Sequence, residues 1–262
     1  MSKVVSPMMV AYGAGVNSTA MLAGMVEKGI RPDAILFADT GGEKPETYEY
    51  LLKVGAWLLT KGMPQLTIVQ NDGSQTTLEQ CCLENQALPS IAYGWRTCSD
   101  RYKQEPQHKW VRAWQLAIDC WEKGGFVTKC IGIDYGEQHR ASIDGDKWYT
   151  NEYPLIDWKW GRQECVEAIC RVIGLEPPVK SACFFCPASR KAEVLRLAKD
   201  HPELFARAVN MERNAKPNLK TVRGLGRNWS WELLVSHDQA QGDLFADVMP
   251  VDCMCIGETK DE

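Results

Sequence analysis

A glycine-rich segment near the beginning of the chain, GAGVNS at residues 13–18, separates an apolar run from a helical pattern. Backbone N–H groups of such a turn, together with the positive end of the following helix, form a binding site for a phosphate or sulfate group. Ser18 and Thr19 add hydroxyl donors where the helix begins. No Lys stands where a Walker A loop requires one, and Ser18 replaces the third glycine of a dinucleotide-binding fingerprint. The segment therefore predicts an anion site of another class, or no more than a tight turn.

Eleven cysteines form a second set of residues that could do chemistry. The first residues carry no signal-peptide pattern and no apolar run approaches a membrane span, so we expect a cytoplasmic protein without a membrane segment. Cysteines in a reducing compartment bind metals, catalyse or pack in the core. Cys183 and Cys186 form C-F-F-C, whose thiolates could hold one metal or cluster, or act as a redox pair. Four others lie among apolar neighbours and are predicted to be small buried side chains: Cys120, Cys130, Cys165 and Cys170.

Two groups of basic residues could contact an anionic ligand. Arg96, Arg101 and Lys103 suit phosphate or sulfate oxygens, although a helix with a mixed surface face has the same composition. The net charge is −4, so nucleic acid could bind only at a local basic face. A second group, for which a solvated surface is the favoured interpretation, consists of Lys216, Lys220, Arg223 and Arg227.

The elements that must position these residues follow an α/β pattern. Apolar runs predict strands at 8–12, 34–38, 66–70 and 126–133, of which all but 66–70 are expected to be buried, and helical patterns separate the first three. This alternation predicts a doubly wound, mostly parallel sheet, in which ligands bind beyond the carboxyl ends of the strands. Asp39 follows the second strand, and Glu137 and Arg140 follow the fourth, so all three are expected on that side.

Length and composition set the domain organisation that we expect. The chain has 262 residues, of which 45% are hydrophobic and 24% charged, so it can bury a sizeable core and is not a disordered or fibrous protein. The pattern is helical from about residue 157 onward. We expect an α/β domain over residues 1–160 and a helical, cysteine-containing region over 161–262.

Several segments between residues 12 and 158 resemble one family in order. They are GAGVNS, LFADTGGEKPETYEYL, GWRTCSDRYKQEP, CIGIDYGEQHR and YPLIDW. The first is similar to the pyrophosphate-binding PP-loop of adenine nucleotide α-hydrolases, and the set resembles the phosphoadenosine phosphosulfate reductase family. KSACFFCP resembles a subgroup of that family found in phages and bacteria. The resemblance implies an adenine nucleotide α-hydrolase-like fold, a PP-loop nucleotide-binding domain over 1–160 and an enzyme of sulfur chemistry.

The resemblance also implies roles for individual residues. Asp39 would hold a ribose hydroxyl or a metal ion such as Mg²⁺ on the phosphates, or would only cap the next helix. The residues implied to catalyse the reaction are Arg96, Lys103, Cys253 and Cys255. Those implied to bind the nucleotide, which is ATP, adenylylsulfate (APS) or its 3′-phosphorylated form (PAPS), are Gly13, Ala14, Gly15, Asn17, Ser18, Thr19, Asp39, Thr40, Gly41, Glu137 and Arg140.

A metal site is implied by the cysteines. In the APS-reducing branch of the family, a Cys-Cys pair and a later C-x-x-C bind a [4Fe-4S] cluster; Cys98 matches one member of the pair, and Cys183 and Cys186 match the second motif. The fourth position is open to Cys81, Cys82, Cys253 or Cys255, or to an exogenous ligand such as sulfide. A Zn²⁺ site completed by a cysteine or by His108 is the alternative. Related ATP-dependent tRNA thiolases carry the sulfur to be transferred on an iron without a protein ligand.

Departures from the family pattern keep three functions open. Gly13 and Ala14 replace the usual Ser-Gly of the loop, and Val16 and Asn17 replace a Lys-Asp pair of many ATP-hydrolysing relatives, so ATP and a sulfonucleotide both remain candidates. One function is ATP-dependent activation with sulfur transfer to a tRNA, DNA or small-molecule acceptor. Another is reduction of APS or PAPS to sulfite, with a thioredoxin-like reductant. The third is a catalytically inactive nucleotide-binding partner protein. The sequence leaves a homodimer open.

Overall fold

The computed structural model describes residues 5–73, 77–141 and 147–245. Within them, five strands form one sheet in the order β3-β2-β1-β4-β5, and every neighbouring pair is parallel. The order reverses between β1 and β4, where a doubly wound sheet opens a crevice for ligands. The strands are β1 Met8–Tyr12, β2 Ala34–Asp39, β3 Leu66–Gln70, β4 Val127–Ile131 and β5 Tyr149–Glu152.

Helices connect the strands and continue beyond the sheet. A π-helical turn at Asp100–Gln104 joins α4 to α5, and another at Ile169–Ile173 extends α8. Short 3₁₀ turns lie at Ser90–Tyr93, Tyr135–Arg140 and Lys216–Asn218. The α-helices are α1 Val16–Glu27, α2 Pro45–Thr60, α3 Leu78–Glu84, α4 Thr97–Ser99, α5 Glu105–Arg112, α6 Gln115–Glu122, α7 Pro154–Asp157, α8 Arg162–Ala168, α9 Lys191–Asp200, α10 Pro202–Ala215 and α11 Trp231–Phe245.

Both faces of the sheet are covered, as the doubly wound arrangement requires. Successive side chains of a strand point to opposite faces, and β1 accordingly buries Val10 and Tyr12 in one hydrophobic cluster and Met9 in another. The first cluster includes residues of α1, α2 and α8, and the second includes Val111 of α5 and Ala117 of α6. Strand β2 is buried along its whole length because helices pack on both of its faces.

A further hydrophobic cluster lies beside the sheet and belongs mostly to the later part of the chain. Its residues come from α3, from 88–102 and from 183–235. Phe184 and Phe185 are buried in it, with ring centroids 4.7 Å apart and planes at 90°. The Phe184 N–H donates to the Gly42 carbonyl over 2.8 Å, which fixes the C-F-F-C turn against the segment that follows β2. The division into domains near residue 160 stays a prediction.

The predicted α/β class with a doubly wound parallel sheet is confirmed, and β5 is the strand that the sequence did not predict. Its sequence, YTNE, contains a single buried apolar residue, Tyr149, so it lacks the apolar run that indicated the others. The predicted burial of four cysteines is correct for three of them, whereas Cys170 is exposed. No helix in the described ranges is long and apolar enough to span a membrane.

Candidate functional site

The glycine-rich loop connects β1 to α1 at the carboxyl edge of the sheet. The Ser18 hydroxyl accepts from the Gly13 N–H and donates to the Gly15 carbonyl, each over 3.2 Å, so the turn is closed on itself. Ala14 adopts the left-handed conformation at φ +52°. Helix α1 has neither a side-chain cap nor an acidic residue in its first turn. Its first N–H groups are therefore left without intrahelical partners, as an anion site requires.

A second glycine, Gly132, brings the segment after β4 against the start of α1. A Cβ atom placed on Gly132 would lie 2.7 Å from Ser18 Cα and 2.8 Å from Ser18 N, so only glycine fits there. Two residues later, the Asp134 carboxylate accepts from the Asn17 Nδ2 over 3.0 Å. Arg162 Nη1 donates to the Asn17 Oδ1 over 3.3 Å. Asn17 thus links the loop to the segments beyond β4 and to α8.

Glu137 and Arg140 lie on the 3₁₀ turn that follows β4. Glu137 forms an ion pair with Arg140, with Oε2 and Nη1 2.8 Å apart, and also lies 3.5 Å from Asn17 Nδ2. Its backbone N–H donates to the Asp134 carboxylate over 3.0 Å. The two predicted nucleotide-binding residues are therefore joined to the loop by one polar network, on the side of the sheet that the sequence indicated.

Asp39 organises the segment after β2. Its carboxylate accepts from the Gly41 N–H over 2.8 Å, the Tyr48 hydroxyl over 2.9 Å and the Gln70 amide over 3.0 Å. Burial, and then this carboxylate, raise the pKa of Tyr48, which keeps the hydroxyl protonated as a donor. Helix α2 has Lys44 at its N-cap, so Asp39 fixes the 39–41 turn instead of capping that helix. A role towards ribose or a metal stays a prediction.

A cavity of about 400 Å³ opens beside this turn, and we call it the thiol cavity. Its wall contains residues from the segment after β2, from the α4–α5 helix, from the turn after β4 and from the C-F-F-C turn. These segments are distant in sequence and meet because they all lie at the same edge of the sheet. The predicted site residues that line it are Thr40, Cys98, Lys103, Arg140, Cys183 and Cys186.

Ser181 connects the thiol cavity to the glycine-rich loop. It lines the cavity, and its hydroxyl donates to the Gly13 carbonyl over 2.7 Å. A Cβ atom on Gly15 would lie 3.3 Å from the Ser181 Oγ, a tight contact. The loop and the cavity are therefore neighbouring parts of one site.

Lys103 forms an ion pair with a carboxylate that the sequence did not single out. Its Nζ lies 3.4 Å from Glu43 Oε1, and the Glu43 side chain is 1% exposed. Burial acts to lower the pKa of Lys103, but the Glu43 carboxylate outweighs it and the pKa is raised above its ordinary value. Among the described residues, Glu43 Oε2 has no hydrogen-bond partner. Glu43 thus keeps Lys103 charged and retains one oxygen that could accept a further donor.

The C-F-F-C turn places its two thiols in the cavity wall. The Cys186 N–H donates to the Cys183 carbonyl over 3.0 Å, and the Cys183 Sγ lies 3.1 Å from the Thr40 hydroxyl. Burial, followed by the Glu43 carboxylate, raises the pKa of Cys183 to about 12. Burial also raises the pKa of Cys186. Without a metal, both sulfurs are therefore protonated at neutral pH.

The side chains available as ligands are of the type that an iron–sulfur cluster or Zn²⁺ requires, because three thiols from two distant segments line one cavity. Thiolates are the ligands that such centres prefer. In the described part of the chain, no group of three or more His, Cys, Asp or Glu side chains has the geometry of a metal site as it stands. A metal would therefore need Cys98, Cys183 and Cys186 to turn their sulfurs towards a common point and to lose their protons on binding.

Cys98 also borders a second cavity, of about 360 Å³, together with Cys81 and Cys82. Burial raises the pKa of Cys82 to about 12, with Cys81, Cys98 and Cys183 contributing after it. Among the candidates for a fourth ligand, Cys81 and Cys82 are thus close to the thiol cavity. Cys253 and Cys255 lie outside the described residues. His108 packs against Tyr149, with ring centroids 5.0 Å apart.

Two predicted residues have other surroundings than the sequence suggested. Thr19 is fully buried and its hydroxyl lies 3.1 Å from the Tyr12 hydroxyl of β1, so its side chain faces the core and not the loop. Arg96 is exposed at the start of α4, where its carbonyl accepts from two backbone N–H groups.

Four residues of the site were missed by sequence reasoning: Gly132, Asp134, Glu43 and Ser181. Gly132 and Asp134 stand directly after a predicted strand, which is a readable signal at the carboxyl edge of a parallel sheet. Glu43 follows the turn after β2, and Ser181 stands two residues before the first cysteine of C-F-F-C. The contacts of these last two depend on segments that meet only in the folded chain.

Comparisons with known proteins find a curated relative and similar solved structures. No protein-family model matches the chain. An uncharacterized protein of Methanocaldococcus jannaschii is 24% identical over 207 residues, which is 76% of this chain and 46% of that protein. The chain therefore spans about half the length of this curated relative. Among solved structures, the chain is similar to the U34-tRNA thiolase NcsA from Methanococcus maripaludis with its [4Fe-4S] cluster, at 13% identity and a TM-score of 0.45, over 97% of this chain and 78% of that chain.

Proposed function

We propose that this protein is an ATP-dependent sulfur-transfer enzyme of the PP-loop type, with a metal centre in the thiol cavity. One observation carries the proposal: a glycine-rich loop at a helix N-terminus is joined through Ser181 to a cavity lined by three cysteines and by Lys103. The loop suits the phosphates of a nucleotide, and the cysteines suit sulfur chemistry. Their direct contact is what an enzyme needs to couple nucleotide cleavage to sulfur delivery.

The loop and the cavity divide the reaction between them. The N–H groups at the start of α1 bind the β- and γ-phosphates, which leave as pyrophosphate after an oxygen of the acceptor attacks the α-phosphorus. Lys103 and Arg140 line the cavity as cations and stabilise the negative charge that develops on the α-phosphate. Glu43 holds Lys103 in place. Sulfide then attacks the adenylated carbon of the acceptor, a carbon–sulfur bond forms, and the carbon–oxygen bond to AMP breaks so that AMP leaves, with no change of oxidation state.

Cys98, Cys183 and Cys186 are the residues that would hold a [4Fe-4S] cluster, with Zn²⁺ as the alternative. Such a cluster, if bound through these three thiolates, would supply one iron without a protein ligand for an exogenous sulfide. Other residues of the chain position and shield the thiols. The Thr40 hydroxyl forms a hydrogen bond with the Cys183 sulfur, and the paired phenylalanines of the turn keep water away from that side of the cavity. The family resemblance of the sequence supports the same assignment.

The test is anaerobic purification with iron, sulfide and zinc analysis, followed by incubation with ATP or with APS in the presence of tRNA or DNA as acceptor and of sulfide as the sulfur source. AMP and pyrophosphate formed from ATP support the proposal. Sulfite formed from APS would assign the protein to sulfonucleotide reduction instead. Nucleotide binding without either product would identify an inactive binding protein and refute the proposed activity.

A matched pair of lysine variants makes the assay specific to the cavity. Lys103→Met removes a cation from the cavity wall, whereas Lys109→Met removes a surface cation of α5 that pairs with Asp72. We expect Lys103→Met to lower pyrophosphate formation by about a hundredfold and Lys109→Met to leave it near the wild-type rate. Equal rates for both variants would exclude Lys103 from the reaction.

A further inference from the structure

The segment between α10 and α11 forms a loop of fixed shape, which we call the basic loop, residues 216–229. Glu212 of α10 lies beneath it and is 5% exposed. Its carboxylate accepts from the Leu225 N–H over 2.7 Å, the Ser230 hydroxyl over 2.6 Å and the Trp231 N–H over 3.2 Å. A buried carboxylate satisfied by backbone donors ties the loop to the helix without neutralising any of its cations.

Close packing at two glycines fixes the same loop further. A Cβ atom on Gly224 would lie 1.9 Å from the Glu212 Oε1, and one on Gly226 would lie 2.2 Å from the Trp229 ring. An antiparallel bridge joins Gly224 to Arg227, whose φ is +65°. A side chain at either glycine would have to displace Glu212 or Trp229, so the two glycines keep the turn tight.

The loop presents four exposed cations, and in the described residues no carboxylate lies within 4.0 Å of any of them. The nearby Glu232 pairs with Arg213 of α10 instead. In a chain of net charge −4, such an unneutralised group on a rigid turn is a local basic face. The four are Lys216, Lys220, Arg223 and Arg227.

A cavity of about 300 Å³ adjoins the basic loop. Its wall includes the Trp229 ring, the Asn228 amide, Arg223 and His237, together with leucines of α11. The Lys191 Nζ lies 5.9 Å from the centroid of the Trp229 ring. An aromatic ring beside an amide and a guanidinium is the set that receives an unpaired nucleic-acid base, by stacking and by hydrogen bonds to its edge.

We propose that the basic loop and this cavity bind a single-stranded segment of nucleic acid, with phosphates on the cations and one base beside Trp229. An acidic peptide would satisfy the cations but would leave the aromatic cavity unused. Lys191 stands five residues after Cys186, so its Cα lies within about 18 Å of that cysteine's Cα. The bound strand would therefore pass near the thiol cavity. If the protein transfers sulfur as proposed above, this strand is the acceptor, and that part of the inference rests on the proposed function.

The test is fluorescence anisotropy with labelled single strands of about 12 nucleotides. The affinities for RNA and DNA strands of one sequence are compared without ATP or metal. The affinity for the corresponding duplex is measured as well, and polyglutamate is tested as a competitor of the bound strand. The variant Lys220→Glu/Arg223→Glu reverses charge on the loop, and Lys53→Glu/Lys61→Glu reverses two exposed charges of or beside α2 as the matched control. All four positions are exposed, so the fold is expected to survive, which thermal unfolding checks.

We expect the loop variant to weaken single-strand binding at least about tenfold and to lower the slope of log affinity against log salt by about 0.7 per lost phosphate contact. The control variant should bind like the wild type. The wild type should bind a normal strand more tightly than an abasic strand. Trp229→Leu, which keeps an apolar side chain there, should reduce this ratio of affinities about tenfold. The stronger of the RNA and DNA arms identifies the class of nucleic acid.

Equal affinity of the loop and control variants would overturn the proposal. Equal binding of duplex and single strand, or competition by polyglutamate as effective as that by nucleic acid, would overturn the assignment of a single strand. The binding assay needs no ATP, so it is independent of the activity assay: binding with the expected pattern, together with no AMP or pyrophosphate in the separate incubation with ATP, would refute the proposed enzyme activity alone. Activity on a small-molecule acceptor without nucleic-acid binding would refute this inference and leave the proposed enzyme activity standing.

Discussion

The contact between Gly132 and Ser18 allows a quantitative test of how the anion site is built. In Gly132→Ala, the new Cβ would lie 2.7 Å from Ser18 Cα and 2.8 Å from Ser18 N. Non-bonded carbon atoms rest about 3.5–4.0 Å apart, so the two backbone segments must separate by roughly 1 Å. Both segments are main chain at the edge of the sheet and cannot yield by rotating a side chain.

Forced separation of this kind costs about 1–3 kcal/mol in a packed protein. The strain falls on the first turn of α1, whose N–H groups are the predicted donors to the nucleotide phosphates. If the displaced donors miss the phosphates, that energy appears as an affinity for ATP reduced by about tenfold to a hundredfold. We expect both a lower stability and a lower affinity.

Isothermal titration with ATP and unfolding in urea measure the two effects separately. Ile35→Val, in the buried centre of β2, is the control for stability alone, with an expected loss of about 0.5–1.5 kcal/mol and no change in affinity. Gly132→Ala protein that has lost stability yet binds ATP within about twofold of the wild type would refute the reasoning, because the clash would then not reach the phosphate donors.

Three further predictions concern other parts of the molecule. Changing any one of the three cysteines of the thiol cavity to Ala should remove most of the bound iron, while the exposed Cys170→Ala should retain it; retention in all variants would exclude a shared centre. Gly55→Ala, in the interior of α2 with open space around the new Cβ, should raise the free energy of unfolding by about 0.5–1 kcal/mol in urea, and a decrease would contradict the open environment. Because the pKa of Cys82 is raised to about 12 and the thiolate is the reactive form, its alkylation in metal-free protein should speed up about tenfold per pH unit between about pH 7 and about pH 10; a plateau in that range would show a lower pKa.

The sequence predicted β1, β2 and β3 because each is a mostly apolar segment of five or six residues, although helices bury β1 and β2 far more completely than β3. Met8–Tyr12 and Leu66–Gln70 coincide with the predicted strands, and β2 extends one residue further, to Asp39. Strand β5 lies at the edge of the sheet, where one neighbour suffices and polar residues are tolerated, so YTNE carried no such signal. The other edge strand, β3, contains three apolar residues in LTIVQ and was predicted, so the polar composition of β5, and not its edge position alone, hid it from the pattern.

The site was predictable where its residues follow strands directly, and not where it depends on the meeting of distant segments. Residues after β1, β2 and β4 must share one edge of a parallel sheet, which is why Asn17 and Glu137 could be assigned to the same side. Nothing in the sequence indicated that Glu43 would pair with Lys103, 60 residues later, or that Ser181 would reach the Gly13 carbonyl, 168 residues away. Such pairs result from the packing of the helical region against the edge of the sheet.

The hydrogen bond from Ser181 to Gly13 has a consequence for how the two halves of the site act. The Gly13 carbonyl belongs to the peptide that leads into the anion-binding turn, and Ser181 stands two residues before Cys183. A phosphate group bound at the proposed site would therefore also order the segment that carries the cavity thiols, and a metal that gathered those thiols would restrain the turn. Coupling between two binding sites is reciprocal by thermodynamic necessity. Nucleotide and metal are thus expected to favour each other through a contact that involves neither ligand directly.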